Sequence, residues 1–316
     1  MIVVTGANGF VGRSVARALE RRGLEVIGIV RRPQAEPVGW ECVFDRPDFE
    51  GIGEHLPNWG KCDAVIHLAA RVHVMTDRSI DPLDAYRQTN VRGTLRIAEA
   101  AARAGARRFV YVSSIKAVGE SSSGRAPLSE RDKPMPSDPY GLSKLEAEIA
   151  LREFGRRSGL EIVVVRPPLV YGPGVRANFL SLMDAVAKRV PLPLGAISAR
   201  RSLIFVENLA DVVTHCALEA SAVNETFHVA DSHDPGVAEL VQLIGQALDV
   251  RPRLIPVPVS WLMTAGRLTG RMSQVERLAG ELRVDTEYVR TILGWKPPFD
   301  LEAGLLQTAA WYRADR

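Results

Sequence analysis

The chain contains few of the residues that would cross-link it covalently or build a metal centre. Its 316 residues include six histidines and only three cysteines, Cys42, Cys62 and Cys216. The cysteines lie far apart and match no metal-ligand spacing. We therefore expect neither a metal site nor a disulfide framework, and we expect the reduced thiols that are usual in the cytoplasm.

Long apolar runs and a strong net charge are also missing. No apolar stretch approaches the roughly 18 residues of a membrane-spanning helix, so we expect no membrane insertion. The formal net charge is only +3, which gives no reason to expect a nucleic-acid partner. No basic region or cleavage site precedes the first apolar run, which predicts a cytoplasmic protein without a signal peptide. Hydrophobic residues make up 46% of the chain and charged residues 24%, as in ordinary globular proteins.

The sequence does contain a glycine-rich turn between an apolar run and an amphipathic segment. The run 2–4 is apolar throughout, which is typical of a strand buried on both faces. Three glycines follow at a spacing of three residues: Gly6, Gly9 and Gly12. Apolar residues then recur every fourth position, as on one face of a helix: Val11, Val15 and Leu19. Gly23 ends this segment and a second apolar run begins at Val26, so the pattern predicts a strand, turn, helix and strand.

A glycine turn in this setting predicts a dinucleotide site. The helix N-terminus favours a pyrophosphate, and glycines allow the backbone to approach it closely. The second strand ends at Arg31 and Arg32, where an acidic residue would bind a ribose hydroxyl. Two guanidinium groups instead suit a 2′-phosphate, so we favour NADP(H), with NAD as a possible cofactor. The alternative interpretation is a solvated basic loop.

Strands and helices alternate through the first 170 residues, which predicts an α/β fold with a doubly wound parallel sheet. Further strands are expected at 40–44, 63–70, 108–114 and 160–167, and helices at 81–104 and 140–157. Both helices follow an Asp-Pro start signal. His67 is interpreted as a packed strand residue. The polar loop 120–139 is expected to be functional or mobile rather than packed.

The second half of the sequence is less regular. It contains predicted helices at 178–190, 237–248 and 301–312, short strands at 203–206 and 226–230, and an extended piece at 253–259. We expect residues 171–202 and 231–316 to form a smaller, mixed α/β substrate-binding lobe. Residues 203–230 are expected to join the dinucleotide-binding domain, 1–170. The lobe should lie over the carboxyl ends of the strands, where ligands bind in open α/β sheets.

Tyr140 and Lys144 are spaced so that both side chains project from one face of a helix. A nearby ammonium lowers the pKa of a phenol, and such a tyrosine can exchange a proton with a carbonyl or alcohol oxygen. Ser114, at a strand end, can donate a hydrogen bond to the same oxygen. An isolated Tyr-x-x-x-Lys is often only a surface pair. The preceding glycine turn makes a catalytic group the better interpretation.

The glycine turn, Ser114 and Tyr140-x-x-x-Lys144 together resemble the extended short-chain dehydrogenase/reductase family. The similarity covers essentially the whole chain, including segments 67–70, 90–94, 166–174 and 201–211. Within the family it is similar to the NAD(P)-dependent nucleotide-sugar epimerases, dehydratases and 4-ketoreductases. The resemblance implies a Rossmann-type sheet and a catalytic triad of Ser114, Tyr140 and Lys144. Lys144 would also hold the nicotinamide ribose.

The resemblance also implies ligand contacts and a quaternary structure. Beside the three glycines and two arginines, the cofactor is expected to contact Asn8, Phe10, Val11, Asp45, Leu68, Ala69, Ala70, Asn90, Tyr140, Lys144 and Pro167. With Ser114, Asn178 would contact the nucleotide of a UDP-sugar and Arg201 its phosphates. The alternatives are a helix cap for Asn178, a surface cation for Arg201 and a local turn for Asp45. A homodimer is expected through the helices that start at Asp81 and Asp138.

Departures from the family pattern narrow the expected reaction. The 4,6-dehydratases need acidic residues just after the catalytic serine, where this chain has Ile115 and Lys116. The NAD-retaining 4-epimerases usually carry an acidic residue where this chain has Arg31 and Arg32. We therefore expect an enzyme that reduces a 4-keto group with NADPH.

Segments 67–75 and 113–120 resemble bacterial lipopolysaccharide O-antigen enzymes, which act on UDP-linked N-acetylated 4-keto-6-deoxy sugars and give UDP-N-acetylquinovosamine-type products. The alternatives are an NAD-dependent UDP-sugar 4-epimerase of the UDP-glucose or UDP-N-acetylglucosamine type, a reductase of a non-sugar ketone and a non-catalytic NADP(H) sensor. No role is assigned to Arg71, His73, Lys116 or Arg176.

Overall fold

The computed structural model describes residues 1–35, 37–55, 62–72, 81–270 and 272–315. The strands are β1 (Ile2–Thr5), β2 (Val26–Val30), β3 (Trp40–Val43), β4 (Ala64–His67), β5 (Arg108–Val112), β6 (Glu161–Arg166), β7 (Leu169–Tyr171), β8 (Leu203–Phe205) and β9 (Thr226–His228). The helices are α1 (Phe10–Arg21), α2 (Ile52–His55), α3 (Pro82–Arg87), α4 (Thr94–Arg103), α5 (Pro139–Ser158), α6 (Ala177–Ala187), α7 (Val206–Leu218), α8 (Val237–Leu248), α9 (Val259–Leu268), α10 (Met272–Ala279), α11 (Glu287–Leu293) and α12 (Leu301–Ala314).

Seven of these strands form one parallel sheet in the order β3-β2-β1-β4-β5-β6-β9. The central strand β1 is buried along its whole length, as its apolar run predicts, and Ile2 pairs with both Val26 and Ala64. The chain reverses its direction of winding between β1 and β4, and ligands of open α/β sheets bind at such a crevice. The predicted doubly wound parallel sheet is confirmed.

Helices cover both faces of the sheet. On one face α1 packs against α7, and the ion pairs Arg21–Glu207 and Arg22–Asp211 join the two helices at 3.0 Å each. On the other face α4 and α5 pack over β4 and β5, and their apolar side chains form a second buried cluster. This two-sided cover explains why the inner strands are apolar on both faces.

The helix expected over 81–104 is divided into two helices by a wider turn. Asp81 caps α3 by accepting a hydrogen bond from the Asp84 amide at 3.1 Å, as the Asp-Pro signal predicts. Residues 88–93 then form a π-helical turn before α4 begins. Such turns often occur at functional sites, and this one carries the buried residue Asn90.

The loop 120–139 is well packed. The expectation that it is functional or mobile rather than packed is therefore wrong about the packing. Leu128 is 0% exposed. Its amide donates to the Arg283 carbonyl and its carbonyl accepts from the Asp285 amide, each at 2.8 Å. The buried hydroxyl of Ser122 also accepts from the Arg283 amide at 2.8 Å. The partner segment is about 150 residues further along the chain, which is why local sequence patterns do not reveal the packing.

The C-terminal part supplies a small sheet and several helices. Strands β7 and β8 pair in parallel as a separate two-stranded sheet, and α6, α8 and α12 pack around a third apolar cluster. Strand β9 extends the main sheet by pairing with β6, while α7 lies on that sheet. The division into a dinucleotide-binding domain and a substrate-binding lobe stays a prediction. Within the described part of the chain, no helix is long and apolar enough to cross a membrane.

Candidate active site

The glycine turn forms a tight cradle between β1 and α1. Gly6 has a φ of +69°, and a Cβ there would lie 3.1 Å from the Ala69 amide nitrogen. A Cβ on Gly12 would collide with the Gly6 carbonyl oxygen. Helix α1 begins after Gly9, with neither a side-chain cap nor an acidic residue in its first turn. Its terminal N–H groups therefore suit the negative charge of a pyrophosphate.

Small residues at the end of β4 line the crevice beside this turn. The Leu68 and Ala69 amides each donate to the Thr5 hydroxyl at 3.2 Å. Asn90 fixes the following residue, since it accepts from the Arg71 amide at 2.8 Å and donates to the Arg71 carbonyl at 3.1 Å. It also donates to the Ser143 hydroxyl of α5 at 3.0 Å. These bonds give Asn90 a role in holding the crevice together.

We call the end of the crevice near the ends of β1, β2 and β3 the nucleotide end, because the sequence predicts cofactor contacts there. A cavity of about 360 Å³ is lined by Asn8, Arg31, Arg32 and Asp45. The side chain of Asn8 donates to the Arg32 carbonyl at 2.9 Å, which links the glycine turn to the end of β2. The structure thus brings together residues that the sequence places after three different strands.

Ser114 and Tyr140 face each other across two adjoining turns. Ser114 follows β5 and caps a short 3₁₀ turn by accepting from the Lys116 amide at 3.2 Å. Tyr140 is the second residue of α5, and the nearby Ser114 hydroxyl acts to lower the pKa of its phenol. A Cβ on Gly141 would lie 2.5 Å from the Lys116 carbonyl oxygen, so the serine turn and the start of α5 are in direct backbone contact.

Lys144 lies one helical turn beyond Tyr140 and is almost fully buried. Its ammonium donates to the Val112 carbonyl at 2.9 Å and lies 4.6 Å from the centroid of the Tyr111 ring. The Tyr140 ring centroid is 5.9 Å away. Burial lowers the pKa of Lys144 to about 7, although the Glu148 carboxylate acts in the opposite direction. Tyr140 and Lys144 thus lie on the same face of α5, as their spacing predicts.

The expected lowering of the Tyr140 pKa is wrong for this structure. Burial raises the pKa of the phenol well above its usual value, and Asp138 raises it further. The nearby Ser114 hydroxyl only partly offsets this effect. The Lys144 ammonium donates its hydrogen bond to the Val112 carbonyl instead. Tyr140 therefore holds its proton at neutral pH.

Sequence reasoning missed a buried charge network behind the site. Glu148, one turn after Lys144, accepts hydrogen bonds from the Ser113 hydroxyl at 2.5 Å and from Arg166 at 2.5 and 3.0 Å. Arg166 also lies 3.3 Å from the His228 ring nitrogen. The spacing Lys144-x-x-x-Glu148 was the available signal, because it puts both charges on the same helical face.

His67 is a packed strand residue, as predicted. Its ring nitrogens lie 2.8 Å from the Thr5 hydroxyl and 3.0 Å from the Thr94 hydroxyl. Burial lowers its pKa to about 3, so the ring is neutral at ordinary pH. His73 lies outside the described residues.

The two residues expected to contact a UDP-sugar lie in the C-terminal part. Asn178 is the exposed second residue of α6, and Arg176 rather than Asn178 is the N-cap residue. Arg201 is half-buried and donates to the Gly280 carbonyl at 3.0 Å. Burial lowers the pKa of Arg201, and the nearby charge of Glu120 opposes that shift. The functions of these residues stay predictions.

The parallel sheet, the glycine cradle and the Ser-Tyr-Lys group define the class as dinucleotide-dependent enzymes of the Rossmann type. A model of the NAD dependent epimerase/dehydratase family matches residues 2–230, so the chain belongs to that family. A UDP-glucose 4-epimerase of Vibrio cholerae is 39% identical over 310 residues, which are 98% of this chain and 94% of the relative.

Solved structures of similar proteins agree with this fold. The structure of MoeE5 in complex with UDP-glucose and NAD has a TM-score of 0.78 and 25% identity, and the match covers 99% of each chain. A UDP-glucose 4-epimerase of Thermotoga maritima with UDP-glucose has a TM-score of 0.79 at 22% identity, again over 99% of each chain. The resemblance seen in the sequence is therefore confirmed at the level of the family.

Proposed function

We propose that this enzyme reduces the 4-keto group of a UDP-linked sugar, with NADPH as the hydride donor. The observation that carries the proposal is the placement of Arg31 and Arg32 at the nucleotide cavity beside Asn8. Guanidinium groups bind phosphate through paired, charge-assisted hydrogen bonds. A 2′-phosphate distinguishes NADPH from NADH, and a reductase must bind a fresh reduced cofactor for each turnover.

The glycine cradle fits such a dinucleotide. Side chains at Gly6 and Gly12 would fill the space beside the start of α1, whose N–H groups suit the pyrophosphate. The small residues after β4, at Ala69 and Ala70, leave room for the nicotinamide ribose, which Lys144 would hold. A bound nicotinamide would supply the hydride.

The protein's own catalytic contribution is proton delivery to the sugar oxygen. Tyr140 holds its proton at neutral pH because burial raises the pKa of the phenol. A protonated phenol is the form that can donate to a carbonyl oxygen as hydride arrives at carbon. Ser114, which lies close to Tyr140, would donate to the same oxygen and stabilise its developing charge. Tyr140 is therefore in the protonated form from which a reduction would begin.

We assign the UDP group to the C-terminal part of the chain. Arg201 would bind the phosphates and Asn178 the nucleotide, and MoeE5, whose match covers 99% of each chain, is described as a complex with UDP-glucose. Dehydration is not proposed. Ile115 is buried and Lys116 is paired with carboxylates, so neither of these two positions offers the acid that a 4,6-dehydratase needs.

A UDP-sugar 4-epimerase is the second candidate, and the 39% identical Vibrio cholerae relative favours it. Epimerisation would use Ser114, Tyr140 and Lys144 with tightly held NAD and a rotating 4-keto intermediate. The two candidates therefore differ in cofactor exchange rather than in catalytic residues. Only the reductase consumes NADPH in proportion to product.

We also propose a cytoplasmic homodimer that acts in lipopolysaccharide O-antigen synthesis. The dimer would pair α3, α4 and α5 of two chains. Ile149, on α5, is 60% exposed and would be covered by such contact. Loss of dimer on Ile149→Asp, measured by analytical ultracentrifugation, would support this arrangement.

The test of function compares two reactions. Purified protein is given NADPH and a UDP-linked N-acetylated 4-keto-6-deoxy sugar, and loss of NADPH absorbance is followed. In parallel it is given UDP-glucose without added cofactor, and UDP-galactose is sought. We expect NADPH oxidation only. Epimer formation with copurified NAD would identify the second candidate, whereas activity on a ketone without affinity for UDP would indicate a non-sugar reductase.

A further inference from the structure

A compact cluster of charges lies directly behind the proposed catalytic hydroxyls. The Lys116 ammonium is 2.6 Å from the Asp138 carboxylate and 2.5 Å from the Glu120 carboxylate. Lys116 comes two residues after Ser114, and Asp138 comes two residues before Tyr140. The Lys116–Asp138 ion pair therefore connects the segments that carry the two hydroxyls.

We propose that Lys116 is a positioning residue, which holds the Ser114 turn against the start of α5 and neutralises the Asp138 carboxylate beside Tyr140. The proposal rests on the proposed function, because it assigns Lys116 to the same catalytic site. It gives a role to a residue to which the sequence assigned none.

Lys116 and Asp138 join the two turns mechanically. The Lys116 amide donates to the Ser114 hydroxyl at 3.2 Å, and the Lys116 carbonyl abuts the backbone at Gly141. One Asp138 oxygen caps α5 by accepting from the Gly141 amide at 2.6 Å, while the other accepts from the Lys116 ammonium. The two ends of the ion pair are thus fixed to the two turns, and the Ser114–Tyr140 separation depends on it.

The same ion pair also changes the electrostatic field at Tyr140. The ionisable groups that act on or face the Tyr140 ring are Asp138 at the start of its helix, Lys144 one turn later, Tyr86 on α3 and Tyr111 on β5. Asp138 is the carboxylate among them, and it raises the pKa of the phenol. Lys116 and Asp138 are only 31% and 14% exposed, so solvent screens their interaction less than it screens a surface pair. Removing the ammonium should therefore leave a stronger negative field at Tyr140.

The two partners should consequently act with opposite signs. Lys116→Met leaves the Asp138 carboxylate without the cation that neutralises it. The phenol is then harder to ionise, and its pKa rises. Asp138→Asn removes that charge but keeps an oxygen that can cap α5, so the pKa should fall. A purely structural role would not produce shifts in opposite directions.

The experiment compares Lys116→Met, Asp138→Asn, the double variant and the charge-preserving Lys116→Arg. Lys133→Met, an exposed lysine of the same loop, is the matched control. One readout is the pH dependence of kcat/KM for the UDP-linked 4-keto sugar. The other needs no sugar: tyrosinate absorbance is titrated in protein saturated with NADP⁺, or with NAD⁺ if that binds more tightly. The titration of the same variant that also carries Tyr140→Phe is subtracted, so that the difference reports Tyr140.

We expect the Tyr140 pKa to rise by about 0.5–1 unit in Lys116→Met and to fall by a similar amount in Asp138→Asn. The double variant should lie between them. Lys116→Met should lower kcat about 10-fold with little change in KM for NADPH, since a misplaced donor weakens proton transfer. Lys116→Arg should restore most of the rate, and Lys133→Met should match the wild type.

Shifts of the same sign, or no shift in either single variant, would overturn the inference. If Lys116→Met fails to fold, Asp138→Asn and Lys116→Arg still provide the test through their tyrosinate titrations. Opposite shifts in a protein that turns over no UDP-sugar would support Lys116 and refute the proposed function. Turnover of the UDP-sugar together with unshifted tyrosinate titrations would support the proposed function and refute the role of Lys116.

Discussion

The two ends of the crevice differ in how deeply their charged side chains are buried. At the nucleotide end, Arg31 and Arg32 are exposed. At the catalytic end, Lys144 and Glu148 are each only 2% exposed and are held by several hydrogen bonds. The proposed cofactor choice therefore depends on side chains that the fold does not need. The proposed catalysis depends on side chains whose removal also disturbs packing.

The largest effect is expected for the catalytic phenol itself. Tyr140→Phe removes the proton donor and should lower kcat by about 10³-fold, within the range usual for general acids. Cofactor affinity, measured by fluorescence titration, should stay within about twofold because the ring is retained. Tyr288→Phe, which removes a hydroxyl bonded to Glu225 on another part of the molecule, is the control. Wild-type turnover in Tyr140→Phe would refute the assignment.

Loss of the buried Glu148–Arg166 ion pair should destabilise the fold much more than loss of a more exposed ion pair on the same helix. Glu148→Ala leaves Arg166 without its buried carboxylate partner and should cost about 3–5 kcal/mol of unfolding free energy. Glu146→Ala, two positions earlier on α5, breaks the more exposed pair with Arg87, whose side chains are 28% and 42% exposed, and should cost much less. Urea unfolding measures both. Equal losses would show that the catalytic end is not specially dependent on buried charge.

Acid should weaken the fold through the histidines behind the site. Burial lowers the pKa of His67 to about 3 and that of His228 to about 4, below the unfolded value near 6.5. The unfolded chain therefore binds more protons below pH 6.5, so stability falls as pH falls. Each histidine contributes up to about 1.4 kcal/mol per pH unit in this range.

The histidine effect is best measured as a difference. Burial raises the pKa of the carboxyl groups of Glu130, Asp231 and Asp234, which acts in the opposite direction. Urea midpoints at pH 6.5 and pH 5 should therefore be compared between the wild type and His67→Gln. The variant should lose less stability on acidification. An identical loss in both proteins would show that His67 does not stay neutral in the folded state.

The smallest effect on the fold is expected at the nucleotide end. Arg31→Ala and Arg32→Ala should each weaken NADPH binding about 10-fold and leave NADH binding almost unchanged, because each loses a phosphate contact. Melting temperatures should match the wild type. Arg17→Ala, an exposed arginine of α1, controls for general loss of positive charge. Equal weakening of NADPH and NADH would remove the argument for a 2′-phosphate site.

Local patterns were sufficient for much of the fold and the catalytic group. The apolar run of β1 and its glycine turn predicted the first strand and helix, and the four-residue spacing placed Tyr140 and Lys144 together. The direction of the Tyr140 pKa was beyond local reasoning, since it depends on how deeply the folded chain buries the phenol. The packing of Leu128 likewise depends on a segment about 150 residues away.

The most direct test of the proposed reduction is to follow the hydride from NADPH to the sugar. The enzyme is supplied with NADPH that carries deuterium at its transferable position and with a UDP-linked 4-keto sugar, and the product is examined by NMR. A reductase transfers the label to C4 of the sugar, with one NADPH consumed per product. Product without deuterium at C4, or turnover without NADPH consumption, would contradict the proposed reaction.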